Sequence, residues 1–439
     1  MIKYSFSRLN KILLCILACF VFYMAKSQRP NIIYIMTDDM GYADLSGYGG
    51  KSFSTPYLDK LASEGVKFVN AYAAGPLCTP TRAAFFTGRY PARTPVGLIE
   101  PLTNSRKDSS FGLTTAYPSV ATLLKAAGYQ TALIGKWHLG SLPQHSPIIN
   151  GFDYFFGIHT GAADYISHRG HGVAHDLYEN DEFVYPSGYL TDLFAQKATA
   201  FLKQSHKKPF FLALTFTAPH WPWQGPGDKA YADSLDFRKG GSPAIYAAMM
   251  KSLDDAIGQI MNALGEQNLA EKTLVIFTND NGGEKFSDNG GLSNAKSTLW
   301  EGGIRVPAFV RWPGKILPAV TNQVAVTMDW TATILAAAKV KPQKGFALDG
   351  LNLLPVLMGS KKKIVERTLY WRTFQRSQQK AIRVGDWKYL QDPQGEYLFN
   401  LKEDFGEKVN LKEKEPARFL KLKKMYAEWE KQMLPPLAL

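Results

Sequence analysis

The sequence predicts an α/β fold: a large, mostly parallel central sheet flanked by helices on both faces, plus a small C-terminal antiparallel sheet with a helix. Short apolar runs such as NIIYIM, PFFLALTFT and TLVIFT read as strands buried on both faces. Helix-like stretches alternate with these runs, which argues for parallel strands joined by helical crossovers. After Pro342 the texture changes to short segments separated by polar turns. At 439 residues the chain can hold one large core and an appendage.

Residues 1–27 read as a signal peptide, with Lys3, Arg8 and Lys11 ahead of an apolar run over 12–24 and cleavage before Gln28. An exported protein, periplasmic or extracellular, is therefore expected. The apolar run is short for a membrane span. Ile16-Leu17-Ala18-Cys19 faintly resembles a bacterial lipobox, but the apolar stretch continues past the cysteine, so a lipid anchor is the lesser alternative. Cys15 and Cys19 leave with the leader. The mature chain then keeps Cys78 alone, without an internal disulfide, and a single thiol in an exported protein usually marks a reactive or modified residue.

Residues 28–342 form the main α/β unit. A strand over 31–36 ends in Thr37-Asp38-Asp39, and a helix from Thr55 stops at Gly65. A helix over 117–127, closed by Gly128, precedes a strand over 131–135. A helix over 189–204 precedes the strand 209–217, and a long helix over 244–264 precedes the strand 273–278. A strand over 304–312 and a helix over 328–338 complete the unit. Residues 343–439 read as three strands, over 367–372, 381–390 and 396–401, and a Lys-rich amphipathic helix over 416–433. There are no internal repeats or low-complexity segments.

The formal charge is +13, and +9 once the four basic residues of the leader are removed. Most of the remainder lies beyond residue 360, where 18 basic residues face 11 acidic ones. Such an excess fits a solvated basic face or a polyanionic ligand. No recognition helix or RNA-binding pattern accompanies it, which argues against nucleic acid.

Ligands of open parallel sheets bind beyond the carboxyl ends of the strands. Asp38 and Asp39, Lys136 and His138, His220, and Asp280 and Asn281 each follow an apolar strand, so four strands deliver polar groups to one edge. The stretch from Gly75 to Arg93, GPLCTPTRAAFFTGRYPAR, puts Cys78 beside Pro80, just ahead of a helix-like run. A helix N-terminus suits an anion, and Arg82 adds a fork-shaped donor for a tetrahedral oxyanion. Asp38, Asp39, Asp280 and Asn281 make an all-oxygen set fit for a hard divalent cation.

Cys78-Thr79-Pro80-Thr81-Arg82, followed by TGRYPAR, resembles the signature of the type I sulfatases, arylsulfatase-like members of the alkaline phosphatase superfamily. That resemblance implies oxidation of Cys78 to formylglycine by a dedicated maturation enzyme. It implies a cation, usually calcium and less often magnesium, on Asp38, Asp39, Asp280, Asn281 and residue 78. It also gives Lys136 the task of holding nucleophile and sulfate, His138 that of assisting sulfate release, and His220 with Lys296 that of protonating the leaving oxygen. In that scheme one hydroxyl of the hydrated aldehyde attacks sulfur and loss of the other's proton expels sulfate. Related phosphatases and phosphodiesterases carry histidine beside the equivalent of Asp280, and many hold two zinc ions. Asn281 favours sulfate esters. A phosphonate or phosphodiester hydrolase and an inactive sulfated-glycan binder are the alternatives.

Residues 159–186, rich in histidine and tyrosine, read as a specificity loop, with Asp164, His168 and Arg169 available for sugar hydroxyls. Their histidine spacing matches no strong zinc motif. Trp221, Trp223 and Gln224 follow His220 and offer either an aromatic wall for a sugar or core packing. A sulfated carbohydrate is the expected substrate, with small aryl sulfates as surrogates.

Overall fold

A computed structural model of the 439-residue chain describes residues 29–103, 110–171, 174–231, 236–359 and 364–437. The expected leader, with Cys15 and Cys19, lies outside the described residues. Among the described residues no helix is long and apolar enough to cross a membrane.

Ten strands form the main sheet, in the order Ala319–Thr321, Val66–Phe68, Ala308–Arg311, Thr273–Asn279, Asn31–Thr37, Phe210–Thr215, Gln130–Lys136, Tyr154–Ile158, Tyr178–Glu179 and Glu182–Phe183. The five from Thr273–Asn279 to Tyr154–Ile158 are mutually parallel. Antiparallel pairings occur toward the margins. Asn31–Thr37 sits at the centre and is buried throughout, which is why its sequence is a continuous apolar run rather than an alternating one. Met36 pairs with both Thr215 and Thr278, so the carboxyl ends of these strands come out level at one rim.

Helices cover both faces. On one, Leu190–Leu202 and Pro243–Glu266 pack against each other and on the sheet through residues such as Phe194, Leu253 and Ile257. On the other lie Val120–Ala126, Thr327–Ala337 and the helix Cys78–Thr87, whose ten residues are all buried. Phe85 of that helix stacks on Tyr34 of the central strand with ring centroids 3.6 Å apart. Gly88, at φ 66°, closes the helix with its N–H on the Ala84 carbonyl. The expected helix at 117–127 starts only at Val120 because Ser119 caps it, accepting from the Thr122 N–H.

The C-terminal sheet has four strands, not the expected three: Thr368–Arg372, Lys380–Val384, Trp387–Asp392 and Gly395–Asn400, all antiparallel. The segment read as one strand over 381–390 is a hairpin, turned at Gly385, whose φ of 56° is open to glycine at no steric cost. The helix Pro416–Glu430 packs on this sheet through Leu422, Tyr426 and Trp429.

Buried polar groups join the small sheet to the main unit. Lys388 Nζ meets Glu301 at 2.9 Å and Glu407 at 2.7 Å, with all three side chains fully buried. Arg367 forks onto Asp329 at 2.6 and 3.0 Å. Burial pushes the Glu407 carboxyl up to about 7, and Lys388 opposes the shift. Lys388→Met strands the buried Glu407 carboxylate without a counter-charge among the described residues and takes from Glu301 the nearer of its two cations, leaving Arg305 at 3.5 Å. It is expected to cost about 3–5 kcal/mol of stability, read from urea-unfolding midpoints against the parent chain.

Candidate active site

The level rim of the parallel strands gathers the predicted residues. Asp38 and Asp39 follow Asn31–Thr37, Lys136 ends its strand, His220 follows Phe210–Thr215, and Asp280 and Asn281 follow Thr273–Asn279. The helix Cys78–Thr87 brings its first residue to the same place, with extended Leu77 as its cap. Cys78 is thus the first helical residue, one step further in than its sequence suggested. Pro80 is accommodated because first-turn residues need no intrahelical N–H bond.

The Cys78 thiol donates to Asp38 Oδ1 at 3.5 Å. Asp38 Oδ2 takes Lys136 Nζ at 2.5 Å and Arg82 Nη2 at 3.2 Å. Asp39 Oδ2 meets Lys296 Nζ at 2.5 Å and His220 Nε2 at 3.5 Å. Asn281 Nδ2 donates to Asp39 Oδ1 at 2.8 Å, and Asp280 Oδ1 accepts the Asp39 N–H at 3.3 Å. Asp39 and His138 both hold left-handed backbone, φ 64° and 55°, a conformation that costs non-glycine residues about 1–3 kcal/mol and clusters at functional sites.

Burial and like charge set the electrostatics. Burial alone would raise Asp38, but the buried cations Lys136 and Arg82 hold it below the ordinary carboxylate range. Burial raises Asp280 to about 6, with Asp38 adding to the shift. Asp39 is raised by burial despite Lys296, and burial pushes the Cys78 thiol up as well. Burial also lowers His138 and His220, which favours their neutral forms. His220 Nδ1 lies 2.5 Å from the Trp221 carbonyl and donates to it, which leaves Nε2 as the atom that gains or gives a proton.

The donor set fits a hard cation. Ligand atoms of Asp38, Asp39, Cys78 and His220 lie within 4.8 Å of one another, the only such group among the described residues. Asn281 Oδ1 is buried without a hydrogen-bond partner among the described residues, an acceptor with nothing to accept from. Three carboxylates and an amide oxygen at one rim make an oxygen-rich set of the kind a hard divalent cation takes.

A cavity of about 260 Å³ opens over this cluster, and Cys78, His138, His220 and Lys296 line it. Arg82 does not. It is fully buried beneath the cavity, with Nη2 on Asp38 and Asp280 and Nη1 on the Lys136 carbonyl. The expected oxyanion donor is thus a positioning residue that locks two carboxylates and a strand end. Lys136, also fully buried, faces Asp38 from behind. A larger recess of about 1070 Å³, lined by Arg383, Trp387 and Arg418 among others, holds none of the signature residues.

The four residues expected to touch sugar stand elsewhere. Asp164 is buried and fully engaged: Oδ1 accepts from the N–H groups of Ile166 and Ser167, Oδ2 from Gln224 Nε2 and the Tyr231 N–H. His168 is buried with Nε2 on the Gly188 carbonyl. Arg169 is half-buried and does not line the cavity. Trp223 packs in the core against Phe286, and its neighbour Trp221 is the tryptophan at the cavity. The 164–168 loop instead supports His220 from below, through a Tyr165 Oη bond to the His220 carbonyl at 3.0 Å. Sequence reasoning missed Glu284, Arg238 and Arg376 at the cavity. Only the TNDNGGEK context of Glu284 hinted at any of them.

A model of the sulfatase family matches residues 30–340. The chain belongs to the sulfatase family. It is a sulfuric ester hydrolase. A second model, N-sulphoglucosamine sulphohydrolase, C-terminal, matches residues 293–433. Human N-acetylgalactosamine-6-sulfatase is 36% identical over 370 residues, covering 78% of this chain and 68% of the relative. Human arylsulfatase A is 34% identical over 401 residues, 83% and 75% of the two chains. Among solved structures, Ps i-CgsB is similar with a TM-score of 0.84 and 31% identity over 93% of this chain and 94% of its own. A second structure of Ps i-CgsB, in complex with k-i-k-neocarrahexaose, gives 0.83 and 30% over the same shares.

Proposed function

We propose that this sulfatase removes sulfate from a sulfated carbohydrate, with residue 78 working as formylglycine and calcium held by Asp38, Asp39, Asp280, Asn281 and an oxygen on residue 78. The observation that carries the reading is the cavity itself. Its floor is the signature cysteine, its walls are His138, His220 and Lys296, and an oxygen-rich carboxylate set lies directly behind. The cation, when bound, supplies Lewis acidity and neutralises sulfate oxygens. Formylglycine, once formed and hydrated, supplies two geminal hydroxyls in place of the thiol.

The chain's own residues do the rest. Arg82 and Lys136 fix Asp38, so that the carboxylate keeps its orientation toward residue 78. Lys296, which Asp39 holds firmly charged, brings an ammonium to the cavity wall beside the position of the sulfate. His220 Nε2 carries the proton for the departing sugar oxygen, and the anionic substrate favours the protonated ring that burial alone disfavours. His138, with Nε2 on the Leu102 carbonyl, presents a buried Nδ1 that has no hydrogen-bond partner among the described residues, available to take a proton.

Names of relatives support a glycan substrate, and the proposed leader supports export to the periplasm or medium. Paired assays of matured enzyme on matched sulfate and phosphate esters test the reaction class. The expected result is sulfate release with phosphate mono- and diesters slower by at least about tenfold. Faster phosphodiester cleavage would reassign the site.

A further inference from the structure

The cations that the signature supplies are already neutralised from within. Arg82 and Lys136 face Asp38 and Asp280, and Lys296 faces Asp39 and Glu284. Two further guanidinium groups, those of Arg238 and Arg376, line the same cavity as Cys78. Both residues are exposed, and neither has a carboxylate partner among the described residues. Glu284, the carboxylate at the cavity wall, is drawn toward Lys296 at 3.4 Å.

The fold aims both arginines. Arg238 lies over the ring of Trp221, 5.3 Å from its centroid, and Trp221 directly follows His220. A guanidinium held on an aromatic face keeps its N–H edge free for an oxyanion. Arg376 comes from the C-terminal sheet, on the loop joining Thr368–Arg372 to Lys380–Val384. Glu100 clamps that loop: its carboxylate accepts from the N–H groups of Phe374 and Gln375 at 3.0 Å, and its own N–H donates to Gln375 Oε1 at 2.8 Å. Arg376 Nε donates to the Glu100 carbonyl at 3.2 Å, and Pro101 and Leu102, next in the chain, line the cavity. The Glu100 carboxylate is therefore taken up by backbone, and the forked end of Arg376 keeps its charge.

A single sulfate ester needs one anion position, the one at residue 78. We propose that Arg238 and Arg376 form a subsite for a second oxyanion, a sulfate or a uronate carboxylate, on the sugar being desulfated or on its neighbour. The substrate is then a multiply charged oligosaccharide, and the C-terminal sheet is part of the specificity apparatus. This inference rests on the reading of the cavity as the site of sulfate-ester hydrolysis.

The test uses matured enzyme and three probes: N-acetylgalactosamine 6-sulfate, its 4,6-disulfate, and a disaccharide in which the 6-sulfated sugar carries a hexuronate. The parent enzyme is expected to favour one of the doubly charged probes by about tenfold or more in kcat/KM, and the favoured probe tells sulfate from carboxylate. Arg238→Ala and Arg376→Ala should each lower that preference by about tenfold, with partial recovery in Arg→Lys variants. Calorimetry on Cys78→Ser protein, which cannot turn over, should show the same preference in binding. No preference in the parent, or equal loss on all probes in the variants, overturns the subsite. Preferential binding without sulfate release from any probe upholds the subsite and counts against the reaction.

Discussion

Replacing Cys78 by alanine or serine lowers sulfate-ester turnover by at least about 10⁴-fold while the melting temperature barely moves. Loss of a covalent nucleophile typically has an effect of this size, because binding and electrostatics alone recover only a small part of the acceleration. The fold should tolerate the change. Cys78 is buried, but its thiol makes only the long 3.5 Å contact with Asp38 among the described residues, and it stands in the first turn of its helix. Neither replacement adds volume or removes a backbone bond. The check is kcat/KM on a small aryl sulfate beside a thermal melt. Turnover at the parent rate in Cys78→Ala would remove residue 78 from the chemistry.

Stripping the divalent ion with a chelator is expected to lower turnover by at least about 10³-fold and the melting temperature by several degrees, both restored by calcium. The activity loss follows from withdrawing charge that opposes the sulfate oxygens in the transition state. The stability loss follows from linkage: an ion at 100 times its dissociation constant stabilises the native state by about 2.7 kcal/mol. Asp38, Asp39 and Asp280 are all fully buried, and burial raises two of them, so the ion-free site holds carboxylates that resist ionising together. Metered calcium, magnesium and zinc additions to the stripped enzyme read out which ion the site takes. Unchanged activity after exhaustive chelation would contradict the cation site.

The architecture was legible because parallel strands buried on both faces write themselves as apolar runs, and polar residues just after such runs must fall at one rim. Asp38, Asp39, Lys136, His138, His220, Asp280 and Asn281 were found that way, and Cys78 by its neighbours Pro80 and Arg82. What stayed hidden depends on contacts between distant segments. The two-residue strands Tyr178–Glu179 and Glu182–Phe183 are too short to show a period. The turn at Gly385 is hidden inside a segment with a run of buried residues on either side of it. Asp164 looked like a free carboxylate, but four hydrogen bonds from three segments occupy it. Arg82 shows only as a cation in sequence, and its burial between two aspartates decides that it positions rather than touches substrate. Arg376 lies nearly 300 positions from Cys78, on a sheet whose sequence carries no catalytic motif.

The most direct test is the mass of the peptide carrying residue 78, taken from a preparation that hydrolyses sulfate esters at full rate. The account predicts an aldehyde, seen as formylglycine or its hydrate, in stoichiometric proportion to active sites. A fully active preparation whose residue 78 is an unmodified cysteine would contradict it.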